Sequence, residues 1–249
     1  MRIAVISDIH GNLAALEAVL ADIQARGVDL AVNLGDILSG ALQPCETADC
    51  LMSLNLPTIR GNHERQVLSG DVLNMGASDR QAHEMIRSDQ RQWLDSLPTS
   101  LELDDVLLVH GTPGSDLDYF LETVTANGCR AATMEEIVSR VGSTKASLIL
   151  CGHTHLPRSV WLDDNRLILN PGSVGLQAYD DYRPFFHVME TGTPHAKYAI
   201  ATRKNGRWVS EHILVSYDWD DAAAMAEANG RVDWIMPLTT GRCTPVITT

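Results

Sequence analysis

The chain has 249 residues, of which 45% are hydrophobic and 20% are charged, and its formal net charge is -13. This length suffices for one large α/β domain with a substantial buried core. The chain is acidic and has no run rich in Lys and Arg, so we expect no long nucleic acid as a partner. No apolar stretch approaches the roughly 20 residues that a membrane-spanning helix needs, so we expect no membrane contact.

The N-terminal residues and the cysteines indicate a reducing compartment. The first apolar run is too short for a secretion signal and leads directly into a polar block. An odd number of cysteines without framework spacing is typical of free thiols, and the five are Cys45, Cys50, Cys129, Cys151 and Cys243. We therefore expect a cytoplasmic protein.

Strands and helices alternate over the first 60 residues. In the first helix, leucines recur at helical spacing and Gly27 follows as a natural stop. The alternation favours a parallel core sheet with helices on its faces. The predicted elements are a strand over Arg2–Ser7, a helix over Asn12–Arg26, a strand over Leu30–Leu34, a helix over Glu46–Leu54 and a strand over Pro57–Arg60.

The rest of the chain predicts a helical excursion and a second sheet. From His63 to Leu97 the pattern is helical and polar, with a break at Ser69-Gly70. Further strands are expected over Leu101–Leu103, Val106–Val109 and Ser147–Cys151, with a helix opened by the capping box Thr133–Glu136. Later extended segments predict a second, mostly antiparallel sheet from Val160, Arg166–Leu169, Phe185–Met189, Lys197–Thr202 and Trp208–Val215. A last helix is expected over Asp220–Asn229, and the tail has no strong periodicity. Without a linker or repeat, residues 1–249 are expected to form one domain.

Five short polar blocks each follow a strand-forming run. They are Asp8-Ile9-His10, Gly35-Asp36, Gly61-Asn62-His63-Glu64, His110-Gly111 and Gly152-His153-Thr154-His155. Ligand sites in open α/β sheets lie beyond the carboxyl ends of the strands. The placement therefore predicts that seven metal-type ligands meet at one rim of a sheet: Asp8, His10, Asp36, Asn62, His110, His153 and His155.

These residue types suit two divalent transition metal ions, and Mn, Fe, Zn, Co and Ni all remain candidates. A carboxylate can bridge two cations at roughly 3.5–4 Å, and Asp36 is the best candidate because it lies between the other ligands in chain order. A turn would let Asp8 and His10 face one metal. Extended backbone would put His153 and His155 on one face, where one histidine could reach each metal. Two adjacent metals suit displacement at phosphorus.

The five blocks, in this order, resemble the motifs of the calcineurin-like metallophosphoesterase superfamily: D-x-H, G-D, G-N-H-[DE], H-G and G-H-x-H. The segments Ser7–Asn12 and Asn170–Gly175, and Tyr217-Asp218 before an Ala-rich helix, resemble the small bacterial and archaeal phosphodiesterases of this superfamily. The resemblance covers most of the chain. It implies a four-layer α/β/β/α sandwich with two packed mixed sheets and a two-metal site at one edge.

The resemblance also implies a role for each block. Asp8, His10, Asp36 and His155 would hold the first metal, and Asp36, Asn62, His110 and His153 the second. His63 is left over, and it would contact the phosphoryl group and protonate the leaving oxygen. We expect a hydroxide that bridges the metals to attack phosphorus in line while His63 helps the alkoxide leave.

The favoured substrate is a small organic phosphate or nucleotide, hydrolysed as a diester. Hydrolysis of a dinucleoside polyphosphate or of a phosphomonoester stays open, because these reactions use the same two-metal core. A non-catalytic scaffold on the same fold, as in the retromer subunit of this superfamily, is a third alternative. All seven ligands and His63 are present here, which disfavours the scaffold.

The segment after Asp36 departs from the protein Ser/Thr phosphatases of the superfamily, which carry G-D-x-x-D-R-G. This chain lacks there the second Asp, which orients the motif histidine, and the Arg that grips phosphate. The departure disfavours a protein phosphatase and leaves the partner of His63 unidentified. We interpret Glu64 as a solvated carboxylate at a helix start and Asn12 as a helix N-cap. The Asn170–Gly175 turn either joins two strands or approaches the site.

Overall fold

The computed structural model describes residues 1–244, so the last five residues of the expected domain lie outside the described residues. The helices are α1 (Leu13–Arg26), α2 (Pro44–Leu54), α3 (Asn62–Leu68), α4 (Ala77–Met85), α5 (Ser88–Ser96), α6 (Met134–Val141), α7 (Trp219–Ala228) and α8 (Ile235–Thr240). The strands are β1 (Arg2–Ile6), β2 (Leu30–Asn33), β3 (Ser100–Leu103), β4 (Val106–Val109), β5 (Glu122–Thr125), β6 (Gly128–Ala131), β7 (Leu148–Leu150), β8 (Arg158–Trp161), β9 (Leu167–Asn170), β10 (Ala178–Asp181), β11 (His187–Glu190), β12 (Ala196–Lys204) and β13 (Arg207–Val215).

Two mixed sheets form the centre of the molecule. The first sheet has the order β13-β12-β1-β2, in which β1 runs parallel to β2 and antiparallel to β12. The second sheet has the order β3-β4-β7-β9-β8, in which β4, β7 and β9 run parallel. Two small hairpins, β5-β6 and β10-β11, stand apart from these sheets.

Alternating side chains of β1 separate two hydrophobic cores. Ile3 and Val5 pack between the sheets, against residues such as Leu108 of the second sheet. Ala4 and Ile6 face the opposite way, toward the α1 and α2 layer. A third core lies between the second sheet and α6. The order of layers is therefore helix, sheet, sheet, helix, which confirms the predicted four-layer architecture.

The expected division of strands between the sheets is wrong. The segments Lys197–Thr202 and Trp208–Val215 become β12 and β13 and complete the first sheet beside β1. The segment Arg166–Leu169 becomes β9 and joins the second sheet in parallel with β7. The sequence of β1 shows that the strand is buried on both faces. It does not show that β12 is its antiparallel neighbour, because the paired residues Arg2 and Thr202 are 200 positions apart in the chain.

The predicted strand over Pro57–Arg60 shrinks to a single parallel bridge between Asn33 and Thr58. The backbone N–H of Arg60 turns away and donates to the carbonyl of Pro98 at 2.9 Å, which ends the pairing with β2. The polar excursion over His63–Leu97 is helical as predicted, and it divides into α3, α4 and α5.

The C-terminal segment is more regular than its sequence suggested. The late helix α7 is followed by a short 3-10 turn at Val232–Trp234 and by α8. These elements share a fourth core with Ala41, Leu42 and Leu176, which lie in loops at the rim of the first sheet. The segment thus packs beside the edge where β1 and β2 end. No helix among residues 1–244 is long and apolar enough to cross a membrane.

Candidate metal centre

The polar blocks converge at the carboxyl ends of β1, β2, β4 and β7, as the sequence predicts. Six of their residues form two buried or half-buried groups, within each of which the potential ligand atoms lie within 4.8 Å of one another. We call Asp8, His10 and His155 the Asp8 cluster, and Asp36, His110 and His153 the Asp36 cluster. Asn62 is buried as well, and its side-chain oxygen has no hydrogen-bond partner among the described residues.

Five of these residues have a left-handed backbone conformation, which residues other than glycine seldom adopt. Each such position costs on the order of 1–3 kcal/mol and persists only where its surroundings hold it. The backbone N–H of His10 donates to the carbonyl of Asp36 at 3.1 Å, and that of Gly175 donates to Asp8 at 3.0 Å. The φ angles are 56° at Asp8, 52° at His10, 54° at Asp36, 69° at His153 and 58° at His155.

The expectation of extended backbone at His153-Thr154-His155 is therefore wrong. The left-handed turn sends the two side chains to different clusters rather than to one face of a strand. The structure nevertheless places one of these two histidines in each cluster, as was expected.

Backbone carbonyls fix the histidine tautomers of the Asp8 cluster. Nδ1 of His10 lies 2.6 Å from the carbonyl oxygen of Ser39, and Nδ1 of His155 lies 2.7 Å from that of Leu176. A carbonyl only accepts, so both Nδ1 atoms carry the proton. The two Nε2 atoms then face each other at 3.1 Å with bare lone pairs. Burial lowers the pKa of His10 to about 4 and that of His155 well below its usual range, so neither readily takes a second proton.

The Asp36 cluster contains a close carboxylate–imidazole pair. Nδ1 of His110 donates to the carbonyl of Leu34 at 2.8 Å, and its Nε2 lies 2.9 Å from Oδ2 of Asp36. Burial raises the pKa of Asp36, but the charges of His110 and His63 outweigh burial and hold it well below the usual range. Nε2 of His153 lies 3.1 Å from the carbonyl of Leu117, which leaves Nδ1 as its free nitrogen.

The residues at this rim fit divalent metal ions. Oδ2 of Asp8 and Oδ1 of Asn62 are buried without a hydrogen-bond partner in the part of the chain that the structure describes. An unsatisfied buried polar atom costs about 1–3 kcal/mol, and facing lone pairs on two imidazoles repel each other. A cation would relieve all of these features, and carboxylate, amide oxygen and imidazole suit hard-to-borderline divalent metals.

His63 is held between the Asp36 cluster and a carboxylate that the sequence did not reveal. Its backbone N–H donates to Oδ1 of Asp36 at 3.0 Å, and its Nδ1 lies 2.6 Å from Oδ1 of Asp79. The hydroxyl of Ser39 also donates to Asp79, at 2.7 Å. Burial lowers the pKa of His63, but the charges of Asp36 and Asp79 outweigh burial and raise it to about 9. Asp79 lies in the first turn of α4, in a polar stretch where nothing in the sequence distinguishes it from surface carboxylates.

The interpretation of Glu64 as a solvated carboxylate is wrong. Its side chain is 1% exposed and accepts three backbone N–H groups, from Asp36 at 2.8 Å, Ile37 at 2.7 Å and Gly61 at 2.8 Å. Glu64 thus ties the loop after β2 to the start of α3. The charge of a buried carboxylate needs such donors, because water is not available to it.

The interpretation of Asn12 as an N-cap is confirmed, and the Asn170–Gly175 turn does approach the site. Oδ1 of Asn12 accepts the backbone N–H of Ala15 at 3.1 Å, while its Nδ2 donates to the carbonyl of Gly175 at 3.0 Å. The hydroxyl of Ser173 donates to the carbonyl of Asp8 at 2.8 Å. The turn therefore supports the backbone of the Asp8 cluster from behind.

A cavity of about 890 Å³ opens above both clusters. His10, Asp36, Asn62, His63, His153 and His155 all contribute to its lining. Tyr119 and Tyr179 form part of the wall beside His153. The hydroxyl of Tyr179 donates to the carbonyl of His153 at 3.1 Å and lies 2.8 Å from that of Tyr119. The cavity continues on the far side, beside His10, to Arg231 and Trp234.

Residues 1–193 match the model of the calcineurin-like phosphoesterase superfamily domain. The chain belongs to the calcineurin-like phosphoesterase superfamily. Membership makes it a phosphoric ester hydrolase of a metal-dependent family, and the two clusters are the candidate metal-binding groups that such an enzyme needs. The matched residues contain all seven predicted ligands and His63.

Two further comparisons extend over nearly the whole chain. An uncharacterized protein of Methanocaldococcus jannaschii is 30% identical over 258 residues, which cover 94% of this chain and 95% of that protein. The crystal structure of a metallophosphoesterase from Sphaerobacter thermophilus superposes with a TM-score of 0.76 at 27% identity, and covers 97% of this chain and 100% of the other. The likeness to this superfamily member includes the segment beyond residue 193.

Proposed function

We propose that this protein is a two-metal phosphodiesterase that hydrolyses a small organic phosphate or a nucleotide. The observation that carries the proposal is the pair of ligand clusters that line one cavity, together with His63, which lines the same cavity. The ring centroids of His10 and His155 lie 4.9 Å apart, and those of His110 and His153 lie 5.1 Å apart. Each cluster has the carboxylate and imidazole donors for one divalent ion, in the set Mn, Fe, Zn, Co or Ni.

The proposed ligand sets follow the clusters. Asp8, His10 and His155 would hold one ion, with His110, His153 and Asn62 around the other and Asp36 shared between them. When bound, the two ions supply Lewis acidity that neutralises phosphoryl oxygens and acidifies a water molecule for attack. The buried carbonyl partners of the histidines hold the rings in the tautomers that ligation needs.

His63 is the proposed general acid. Its Nδ1 is engaged by Asp79, so the ring orientation is fixed and Nε2 remains the nitrogen that can give a proton to the leaving oxygen. Asp79 plays the orienting role that the G-D-x-x-D motif would supply, but it comes from α4 rather than from the loop after β2. A protonated imidazole beside a departing alkoxide lowers the barrier most when the leaving group is poor.

The shape of the cavity favours a diester over a monoester. The cavity is lined beside each cluster, by Tyr119, whose ring lies 5.0 Å from that of His153, and by Trp234, whose ring lies 6.2 Å from that of His10. A diester places one substituent on each side of the reacting phosphorus, whereas a monoester places one only. The two-sided cavity therefore accommodates both substituents of a small diester.

The deciding experiment is metal add-back to the chelator-stripped protein. Hydrolysis of bis-p-nitrophenyl phosphate and p-nitrophenyl phosphate is measured with Mn²⁺, Fe²⁺, Zn²⁺ or Mg²⁺ for the native chain and Asp36→Asn. Asp164→Asn, at an exposed turn, is the matched control. Metal-restored diesterase activity that only Asp36→Asn lacks is the expected result. If the protein binds two metals but hydrolyses neither compound, the diesterase proposal is wrong, and diadenosine tetraphosphate would then be tested.

A further inference from the structure

We propose that Arg231 binds a phosphoryl oxygen of the substrate from the side of the cavity next to His10. The inference rests on the proposed phosphodiesterase function and names a contact for it. Arg231 lies beyond residues 1–193, which the superfamily model matches. It lines the same cavity as His10, His63 and Trp234. The site would thus recover a phosphate-gripping arginine, which its loop after Asp36 lacks.

Two neighbours orient the Arg231 side chain. Its Nε and Nη2 atoms donate to the two carboxylate oxygens of Asp233 at 3.0 and 2.7 Å. Its guanidinium carbon lies 5.5 Å from the ring centroid of Trp234. The Trp234 ring is buried and lies 6.2 Å from the ring of His10. The guanidinium is therefore held by contacts on one edge and one face, against the tryptophan that neighbours His10.

The remaining edge of the guanidinium is unused. Nη1 is buried and has no hydrogen-bond partner among residues 1–244. Its N–H groups have lost water without gaining an acceptor, which is costly for a charged group. Arginine has donors only and always carries its charge, so the missing partner is an acceptor, and an anion satisfies it best. The phosphoryl group is the anion that a phosphodiesterase brings into this cavity.

Asp233 does not cancel this attraction. Its side chain is 61% exposed, whereas that of Arg231 is 13% exposed. Water therefore screens the carboxylate more than it screens the buried Nη1 edge. Asp233 therefore acts as a positioning residue: it bonds Nε and Nη2 of Arg231 and leaves Nη1 without a partner among the described residues.

Arg203 provides a matched control outside the cavity. Its guanidinium carbon also lies 5.5 Å from a tryptophan ring, that of Trp208, and its Nη1 pairs with Asp105 at 2.9 Å. It differs in two respects. Its side chain is 39% exposed, and its Nη1 has a carboxylate partner. Substitution of Arg203 thus reproduces the loss of an Arg–Trp–Asp arrangement without removing a free donor from the cavity.

The test compares Arg231→Met with Arg203→Met in the metal-loaded, full-length protein. Steady-state kinetics on bis-p-nitrophenyl phosphate give kcat and KM, and calorimetric titration gives the Kd of inorganic phosphate and of pyrophosphate. We expect Arg231→Met to raise KM and the phosphate Kd by about 10- to 100-fold, the loss typical of one charge-assisted hydrogen bond. We expect kcat, metal content and Tm to stay close to those of Arg203→Met.

The outcomes separate this proposal from the proposed function. An unchanged phosphate Kd in Arg231→Met, equal to that of Arg203→Met, overturns the role of Arg231 whether or not the enzyme hydrolyses the diester. A chain that binds phosphate through Arg231 but hydrolyses no ester keeps this proposal and loses the other. A larger effect on pyrophosphate than on phosphate would place Arg231 at a second phosphate rather than at the reacting one.

A second variant keeps the proposal testable if Arg231→Met fails to fold. If Arg231→Met does not fold, Arg231→Lys keeps the charge and the aliphatic stem but loses the planar fork. We then expect the phosphate Kd to rise by about 3- to 10-fold, since the single ammonium of lysine lacks the separate second edge that the guanidinium keeps for phosphate. A phosphate Kd equal to that of the native chain overturns the proposal.

Discussion

The Asp8 and Asp36 clusters each contain one aspartate and two histidines, but the contacts of these side chains differ. In the Asp8 cluster, two neutral imidazoles direct bare nitrogens at each other across 3.1 Å, and Oδ1 of Asp8 lies 3.6 Å from Nε2 of His155. In the Asp36 cluster, Oδ2 of Asp36 lies 2.9 Å from Nε2 of His110 and forms a close pair. Burial lowers the pKa of His110, but the charge of Asp36 outweighs burial and raises it to about 10, so this imidazole carries both protons when no cation is bound. Without a cation, the first arrangement is therefore repulsive and the second is attractive.

Two clusters of equal composition at one rim therefore differ in what a bound ion would replace. An ion in the Asp8 cluster removes a repulsion, whereas an ion in the Asp36 cluster must replace an existing attraction between its ligands. If both clusters bind ions as proposed, the protein would gain more from filling the Asp8 cluster, and binding there would also contribute to the stability of the fold.

The largest expected effect comes from removing one imidazole from each cluster. His10→Ala and His110→Ala should each lose one bound ion and reduce metal-restored diesterase activity by on the order of 10³-fold. Metal content after exhaustive dialysis, measured by plasma mass spectrometry, checks the first part. The native protein should lose the ion of the Asp36 cluster first as chelator is added. Loss of both ions from either variant would show that the clusters are not separate sites.

The next effect concerns His63, which lies beside the Asp36 cluster. His63→Ala should slow hydrolysis of an alkyl diester by roughly 10²–10⁴-fold and matter less for bis-p-nitrophenyl phosphate, whose leaving group needs little protonation. Asp79→Asn should show the same leaving-group selectivity with a smaller loss, because it orients the ring. His83→Ala, at a histidine bonded to the Val67 carbonyl, is the control. Equal losses on both esters would remove His63 as the general acid.

A third prediction compares two glutamates at the third position of a helix. Glu64→Ala leaves three buried backbone N–H groups without an acceptor and should lower the free energy of unfolding by about 3 kcal/mol or more. Glu136 holds the same position at the exposed start of α6 and accepts the backbone N–H of Thr133, so Glu136→Ala should cost only about 1 kcal/mol. Urea unfolding measures both. Equal losses would contradict the role of Glu64 as the buried tie behind the Asp36 cluster.

The smallest effect is a pH dependence behind the Asp8 cluster. The backbone N–H of Lys197 donates to the carbonyl of Ser173 at 2.9 Å, and burial of its side chain lowers its pKa from 10.5 to about 7. Between these values the unfolded chain binds a proton that the folded chain has released, so this lysine makes stability rise with pH from about 7 upward. Below pH 7 both states bind the proton and the slope disappears.

Lys197→Met should therefore flatten the rise of unfolding free energy between pH 7 and pH 9 while leaving metal content unchanged. Urea midpoints at pH 6, 7, 8 and 9 measure the slope, and Lys145→Met, at an exposed lysine, is the control. A slope equal to that of the native protein would mean that Lys197 keeps its proton in the fold.

Local sequence patterns correctly predict the parts of the molecule whose structure depends on residues close together in the chain. The spacing of leucines and the cap at Asn12 located α1 to within a residue, and the blocks after strands placed seven polar residues at one rim. The partners that complete the rim come from distant segments. Asp79 and Arg231 lie in polar stretches that resemble ordinary surface helices and turns. Only the packing of α4 brings Asp79 to His63, and only the packing of the C-terminal segment brings Arg231 to the cavity.

The same reason explains the error in the sheets. β12 reads as a buried strand in the sequence, but the choice between β1 and β9 as its neighbour is made by the packing of whole layers. Glu64 was misjudged because its sequence context, a carboxylate in the first turn of a helix, is identical for exposed and buried helix starts. Its three backbone donors become visible only when the loop after β2 is in place.

The central position of β1 has a consequence for the order in which the protein is assembled. Arg2 pairs with Thr202 and Ile3 with Ala201, so the strand that carries Asp8 gains its second neighbour only after about four-fifths of the chain has been synthesised. Contacts of such long sequence separation form slowly. A chain emerging from the ribosome would therefore carry its histidines and aspartates as loose, unselective chelators, and correct metallation becomes a step that follows folding. Cellular metal supply at that moment, rather than during translation, would decide which ion the finished enzyme holds.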